Sequence, residues 1–456
     1  MVNIKTNSKV YDLIVAGGGI SGTVSAISAA RNGAKVLIVE KNGYLGGALT
    51  ACGVGPMMTF HAGEKQVILG IGEEIVQNLK SKGYSPGHIR DTTNYISYLT
   101  PFSNEGMKIT LDEMVSEAGC EVLYHSFITD VEFEGDELKS LYICNKDGLT
   151  SYKGKVFIDA TGDADIANFS KVPCILGRES DGAMQPMTMN MKLYNVDSEE
   201  LRAYGRAHAE KLPRLNKDIT LLDKAERLSF VGFDEEFKEA KRKGELSIPR
   251  EDILFFETSV PGEFILNTTR IIEHSGVDAK SLSEAETIGR KQCEELYRFL
   301  VKKIPGFKNA KVVLTGPSIG VRGSRQICGR YTLTAEDILD KRRFENVIAH
   351  SAYPIDIHNP KGEGTMSIHA KSFDDYYSIP YDIMVVNEFK NLLVTGRCVS
   401  ATFEAQVAIR TTPTLTALGQ AAGVAAALAV KSGDTRNIDI KKLQSLLIKQ
   451  GSYIEI

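Results

Sequence analysis

The segment YDLIVAGGGISG, from Tyr11 to Gly22, constrains this chain more than any other. A short apolar run ends in Gly17, Gly19 and Gly22, spaced G-x-G-x-x-G, and opens onto the Ala-, Ser- and Val-rich stretch Ile20 to Asn32, which lacks proline. The apolar run reads as a buried parallel strand. The following stretch reads as a helix closed by Gly33 at its C-cap. KVLIVE, Lys35 to Glu40, is a second buried strand, and the three elements make the βαβ start of a doubly wound sheet. In such a unit the first glycine permits the turn, the second lets backbone approach a pyrophosphate, and the third lets the helix pack on the sheet. The helix N-terminus offers unpaired N–H groups and partial positive charge to the diphosphate. Glu40 ends the next strand about twenty residues on, where an acid accepts from the adenosine ribose. The pattern predicts an adenine dinucleotide on Gly17, Gly19, Ile20, Ser21, Gly22, Glu40 and Lys41.

From Gly43 to Thr59 the chain is dense in glycine, which predicts backbone close to a ligand rather than a regular element, with Gly46, Gly47 and Ala48 as contacts. Helices are expected around Gly72 to Ser81 and Ile109 to Glu117. Glu121 to Lys153 alternates apolar and polar residues around a turn at Lys146, Asp147 and Gly148 and reads as a β-meander. KVFIDATGDAD, Lys155 to Asp165, reads as a further buried strand and tight turn. The middle of the chain changes to alternating, half-exposed strands (MQPMTMNMKLYNV, FFETSV, GEFILNTTRI) and charged amphipathic helices at Asp234 to Lys243 and Ser283 to Lys302. NLLVTGRCVS, from Asn391, and the Ala-rich helix Pro413 to Lys431 then return to the first style. The expected fold is α/β: a Rossmann-like nucleotide-binding domain, with parallel sheet, helices and β-meander, carrying an inserted α+β substrate domain. Its parts are residues 1–170 and 386–456 for the first domain and 171–385 for the insert, whose segment near 311–330 approaches the cofactor.

The 456 residues exceed one hydrophobic core, and 43% apolar with 25% charged residues is ordinary for a folded chain. A net charge of -4 without a basic stripe argues against nucleic acid. No Lys/Arg-faced helix points to a membrane surface, and the longest apolar stretch, Ala421 to Val430, is too short to span a bilayer. Seven scattered cysteines without a C-x-x-C pair argue against a disulfide framework, a zinc site or a cysteine-ligated cluster. Met1 to Lys9 is polar and leads into the first strand at Tyr11, so no signal peptide is read there. A reducing, cytoplasmic compartment and no metal are expected.

The same fingerprint serves NAD, and three further segments separate the alternatives. EKNGYLGG, ATGDAD at Ala160 to Asp165 and NLLVTGR lie where FAD-binding proteins of the glutathione-reductase type carry their flavin motifs. Together with GPSIGVRGSRQICGRYTLT, AYPIDIHNP, YSIPY and TPTLTALGQAAGVAAA, they make the chain resemble the bacterial FAD-dependent oxidoreductases related to the fumarate-reductase and heterodisulfide-reductase flavoproteins, from Tyr11 to the C-terminal helix. The resemblance implies FAD as cofactor. It places Gly162 and Asp163 by the pyrophosphate and ribityl chain and adds Gly396 and Arg397. It also aims the N-terminus of the helix that opens at Thr412 and Pro413 toward flavin N1 and the C2 carbonyl.

Candidates for substrate chemistry are fewer. Arg322 and Arg325 are spaced to face one side of a turn, where they either bind an anionic substrate such as a carboxylate or contact the flavin. His358, close to Tyr353 and Asp356, is the candidate proton donor or acceptor, with Tyr353 and Arg410 as alternates. His61 and Cys52 follow the glycine-rich loop and either line the pocket or pack; Cys52 lacks a partner for a dithiol relay. The expected activity is transfer of a hydride between flavin N5 and a small polar or anionic substrate, and the alternative is a flavin-carrying electron-transfer subunit of a larger redox complex. Only one glycine fingerprint of this type occurs, so the electron donor or acceptor is expected to be external. A homo-oligomer is left open.

Overall fold

The computed structural model describes residues 4–212, 218–368, 372 and 374–456. The first strand runs Ile4–Ala16, longer than the apolar run, because its polar start still pairs in parallel with Leu149 to Ser151 before the register shifts between Thr6 and Val10. Parallel neighbours require a crossover. The helix Ile20–Arg31 supplies it, returning the chain to Val36–Val39 at the register Leu13 to Val36. Across the sheet the order is Glu121–Leu123, Val36–Val39, Ile4–Ala16, Gly148–Asp159, Glu137–Asn145 and Phe127–Glu134, with Leu392–Val394 also paired to Gly148–Asp159.

Two readings of the sequence change here. Glu121–Leu123 is not part of the meander but the parallel neighbour of Val36–Val39. The chain leaves it through His125, whose φ is 50°, and Ser126 N then donates to Glu40 O. The meander's last arm and the strand KVFID are one strand, Gly148–Asp159. Gly154 within it marks tight packing rather than a break, since a Cβ there would lie 3.1 Å from Ile14. The first half of this strand pairs antiparallel with Glu137–Asn145 and the second half pairs parallel with Leu392–Val394.

One face of the sheet is covered by Ile20–Arg31 and by the apolar helix Thr412–Ser432. These two helices touch backbone to backbone, because a side chain at Gly419 or Gly423 would collide with the carbonyl oxygens of Ser21 and Ser25. The sequence reading found no stretch long enough to span a bilayer. By length and composition this 21-residue helix is long and apolar enough to do so, since Thr, Ser and Gln lengthen the alanine run, and 78% of its most apolar window is buried inside the fold. The opposite face carries Phe157, Leu138, Leu141, Ile143 and Leu392.

Between Gly148–Asp159 and Leu392–Val394 the chain builds a second, antiparallel sheet in the order Ser229–Gly232, Ile253–Glu257, Phe264–Leu266, Met191–Tyr194 and Lys311–Thr315. The helix Ala279–Lys303 packs on it through Cys293, Leu296, Phe299 and Leu300, around an aromatic core in which Phe255 meets Phe307 edge-on at 5.2 Å.

Candidate functional site

The three fingerprint glycines have three different surroundings. Gly17 has φ of 100° and a Cβ there would lie 2.6 Å from Ala160 O, so it serves the turn. At Gly22 a Cβ would collide with Gly17 O, so it serves helix packing. At Gly19 the backbone (φ −63°, ψ 172°) is open to any residue, and a Cβ would meet nothing closer than Gly47 Cα at 3.9 Å. The space before Gly19 is therefore left open, a cradle of bare backbone. No side chain caps the helix that begins at Ile20, and Ser21, buried in its first turn, meets Thr395 Oγ1 at 2.9 Å. Gly46 N donates to Gly18 O at 2.9 Å, and Gly47 lies so close behind Gly19 that a Cβ on it would sit 2.8 Å from Gly19 Cα. Lys41 and Ala48 are exposed at the rim.

Glu40 is 5% exposed and braces this cradle. Its Oε2 accepts from Gly18 N at 2.7 Å, while Oε1 accepts from Asn42 N and Nδ2 at 2.8 and 2.7 Å. A carboxylate has about four lone-pair positions, so one is left for a ribose hydroxyl.

The segments ATGDAD and NLLVTGR meet through Asp163 and Arg397. Arg397 Nη2 donates to Asp163 Oδ1 at 2.7 Å, and its guanidinium lies over Gly162, where a Cβ would collide with it. The Ser324 hydroxyl donates to the same Asp163 oxygen. Gly396, with φ of 95°, turns the chain into Arg397. Arg397 Nε is buried without a partner among the described residues, a donor available to a bound group. A dinucleotide flavin fits this set: an open glycine cradle, uncapped helix N–H groups, a braced acid beside Gly18 and a spare guanidinium donor.

Arg322 and Arg325 do not share a face. Arg325 Nη1 donates to Asp163 O and to Asp165 Oδ1, at 3.0 and 3.1 Å, and braces the ATGDAD turn. Arg322 points the other way, donating to Pro186 O at 2.6 Å. It joins Arg410, whose Nε is buried and has no partner among the described residues. Burial first, and then the charge of Arg410, pull the Arg322 guanidinium well below its ordinary pKa, and burial lowers that of Arg410. Two cations sit here with little to neutralise them.

Beside them Asp356 forms a hub. Its Oδ2 lies 3.3 Å from His358 Nε2 and accepts from the Tyr353 hydroxyl at 3.4 Å, and its Oδ1 accepts from Ser367 Oγ at 3.1 Å. Burial opposes the charge on Asp356, but His358, Arg410 and the Ser367 hydroxyl outweigh it and hold the carboxyl well below the usual range. Burial, followed by the charge of Arg322, pulls His358 down to about 3, so its imidazole is neutral near pH 7. With Arg270 Nη2 at 3.3 Å from Nδ1, the proton of the neutral ring belongs on Nε2, facing Asp356. Burial pushes the Tyr353 phenol upward.

The helix Thr412–Ser432 opens onto this group. Pro413 lies in its first turn, which holds no acidic residue, and the N-cap Thr411 makes no side-chain cap. Thr414 Oγ1 meets Ser351 Oγ at 2.8 Å, which ties the helix start to the strand leading to Tyr353. Two residues not singled out from the sequence organise the site. Gln406, fully buried, donates to the carbonyls of both Arg322 and Arg397. Arg270, 2% exposed, sits behind His358. His61 packs against Tyr98 and His88, with ring centroids 4.6 and 4.7 Å away. Cys52, its thiol pushed up by burial, accepts through its carbonyl from Asn190 Nδ2 at 2.9 Å. Among the described residues no group of three or more His, Cys, Asp or Glu side chains could hold a metal ion.

Outside the cleft, His350 is 1% exposed, and its Nε2 accepts from Glu455 N at 3.0 Å. Burial and then Arg343 lower its pKa to about 4, so the native state binds fewer protons than the unfolded chain between about 4 and 6.5. Its contribution to stability is complete above pH 6.5 and lost as pH falls toward 4. His350→Gln, which keeps an acceptor for Glu455, is expected to flatten part of the fall in melting temperature across that window in calorimetry of the FAD-loaded protein. An unchanged slope would contradict this.

Similarity to known proteins agrees with the geometry. The chain is 24% identical over 237 residues to a dihydrolipoamide dehydrogenase of Chaetomium thermophilum, a match covering 51% of this chain and 44% of that protein. It is 49% identical over 49 residues to glutathione reductase of Schizosaccharomyces pombe, covering 11% of each. The chain thus spans less than half the length of either relative. Among solved structures, the flavin-dependent brominase Bmp2 shares the fold at a TM-score of 0.51 and 13% identity, covering 96% of this chain and 83% of that one. The chain belongs to the FAD dependent oxidoreductase family, whose model matches residues 12–447, and its cofactor is FAD.

Proposed function

We propose that this enzyme transfers a hydride between N5 of a non-covalently held FAD and a small polar or anionic substrate, which Arg322 and Arg410 hold at the start of the helix Thr412–Ser432. The observation that carries this reading is a pair of half-buried guanidiniums that, among the described residues, make a single side-chain hydrogen bond, from Arg322 to Pro186 O. Cations left so poorly paired destabilise the fold unless an anion joins them, and guanidinium forks match carboxylates.

FAD, when bound, supplies the two-electron chemistry. Gly17, Gly19, Ile20 and Ser21 would hold its pyrophosphate, Glu40 its ribose, and Gly46, Gly47, Gly162, Asp163, Gly396 and Arg397 the stretch toward the flavin. The N-terminus of the helix at Thr412 and Pro413 favours negative charge by about 0.3–2 kcal/mol. Tyr353, its hydroxyl oriented by Asp356, is the group that moves a proton. His358, neutral and engaged at both nitrogens, acts on Tyr353 through Asp356. The electron partner is external.

The test is an anaerobic titration of the FAD-loaded protein with a panel of small carboxylates and their neutral amides, following the flavin absorbance. Bleaching or reoxidation by carboxylates but not by the amides is the expected result. A response confined to neutral compounds would overturn the reading.

A further inference from the structure

Resting on that reading, we propose that the substrate is a monoanionic carboxylate with an apolar body of aromatic size, its carboxylate on Arg322 and Arg410 and its body on a wall led by Tyr95. The first argument is a count of charge. Arg250 is paired with Asp252 at 2.7 Å, Arg270 has Glu251 at 3.8 Å, and Arg397 is paired with Asp163 at 2.7 Å. Arg322 and Arg410 then share one counter-ion, Asp356, whose oxygens are already taken by His358, Tyr353 and Ser367. With His358 neutral, one positive charge is left over. A single carboxylate cancels it, whereas a dianion would leave an extra buried negative charge, which a low-dielectric site disfavours.

The second argument is the apolar cluster beside Arg410, whose charge feels both Tyr353 and Tyr95. Tyr95 meets Tyr353 edge-on at 6.0 Å, and both pack with Phe256, Leu254 and Met58 in an apolar cluster separate from the two sheet cores. Tyr95 is delivered there by a built turn. The Asp91 carboxylate accepts from the backbone N–H groups of Thr93, Tyr95 and Ile96 at 2.9, 3.0 and 3.2 Å. Thr92 Oγ1 clamps this turn to the second sheet, accepting from Ser229 N at 2.7 Å and donating to Ser229 O at 2.6 Å. The Tyr95 hydroxyl donates to Ser367 Oγ at 3.1 Å, so one side chain borders both the Asp356 hub and the apolar wall. An apolar ring beside a poorly paired cation matches an amphipathic anion and offers nothing to a uniformly polar one.

The experiment is calorimetric titration of the full-length, FAD-loaded protein with 3-phenylpropionate, 3-phenylpropionamide, phenylsuccinate and acetate, with the flavin-to-protein ratio measured in every sample. 3-Phenylpropionate is expected to bind at least about tenfold more tightly than each of the other three, since a hydrogen bond to a charged group and a buried ring each contribute about that factor. Arg410→Met is expected to weaken 3-phenylpropionate by about 10- to 100-fold while leaving the amide unchanged. Tyr95→Ala should weaken 3-phenylpropionate about fivefold or more and leave acetate unchanged. Equal binding of the amide would overturn the carboxylate, equal binding of acetate the apolar wall, and tighter binding of phenylsuccinate the charge count. The comparison of ligands on the wild-type protein needs no variant to fold. Loss of selectivity with FAD retained would sink only this inference, whereas a protein that holds no FAD would sink the reading beneath it.

Discussion

Gly19→Val is expected to yield a folded protein without FAD, and Gly22→Ala, three residues on, a protein that does not fold at all. The contrast follows from what each missing side chain faces. At Gly19 the backbone angles suit any residue and the protein leaves the Cβ position open. A valine there fills the space a pyrophosphate needs and little else. At Gly22 the added methyl collides with Gly17 O and lies 2.9 Å from Ala160 Cβ, so the helix cannot seat on the sheet. Purified Gly19→Val is expected to be colourless, with flavin affinity down at least about 100-fold, yet with a circular dichroism spectrum and cooperative melting like those of FAD-stripped wild type. Full flavin retention in a well-folded Gly19→Val protein would mean that the cradle lies elsewhere.

The second large effect separates binding from turnover. Arg322→Met is expected to raise KM for an anionic substrate by about 10- to 100-fold and to leave kcat within a few-fold, because it removes a contact that ground state and transition state share. Asp356→Asn should do the reverse. Removing its negative charge leaves the two guanidiniums less neutralised, so the anion binds more tightly and KM falls. The same change releases Tyr353 and His358 from their common acceptor, and kcat is expected to fall about 100-fold, the usual worth of a positioned proton-transfer group. Steady-state kinetics of both variants, with the flavin content of each confirmed, decides the matter. A rise in KM for Asp356→Asn would place that carboxylate among the substrate contacts instead.

What could be read from the chain alone follows from how local each feature is. The glycine fingerprint, Glu40 and the flanking strands were legible because their chemistry lies within thirty residues and each residue type has few alternative uses. The continuity of Gly148–Asp159 was hidden because the alternating stretch up to Lys153 and the apolar run from Lys155 have different patterns, one half-exposed and one buried, within a single strand. Arg322 and Arg325 look alike in sequence and diverge only because the strand Arg325–Ile327 pairs with Cys174–Leu176, turning Arg325 toward Asp163 and Asp165. The depressed pKa of His358 depends on burial and on a guanidinium 36 positions away, so nothing near His358 in the chain announces it. Tyr95 and Gln406 are common residue types in unremarkable surroundings, and only long-range packing gives them a place.

The strand Gly148–Asp159 also has a history in time. Its inner edge, Phe157 to Asp159, is completed by Leu392–Val394, which leave the ribosome some 235 residues later. At ~5–20 residues per second that is a wait of roughly ten to fifty seconds. During this interval the nascent sheet lacks both a strand and the apolar helix that covers Ser21 and Ser25. The second sheet, with its own aromatic core, can form meanwhile. The cofactor site is therefore complete only after the helix Thr412–Ser432 has emerged, and until then the exposed strand edge is open to wrong pairing, so chaperone cover bears on yield.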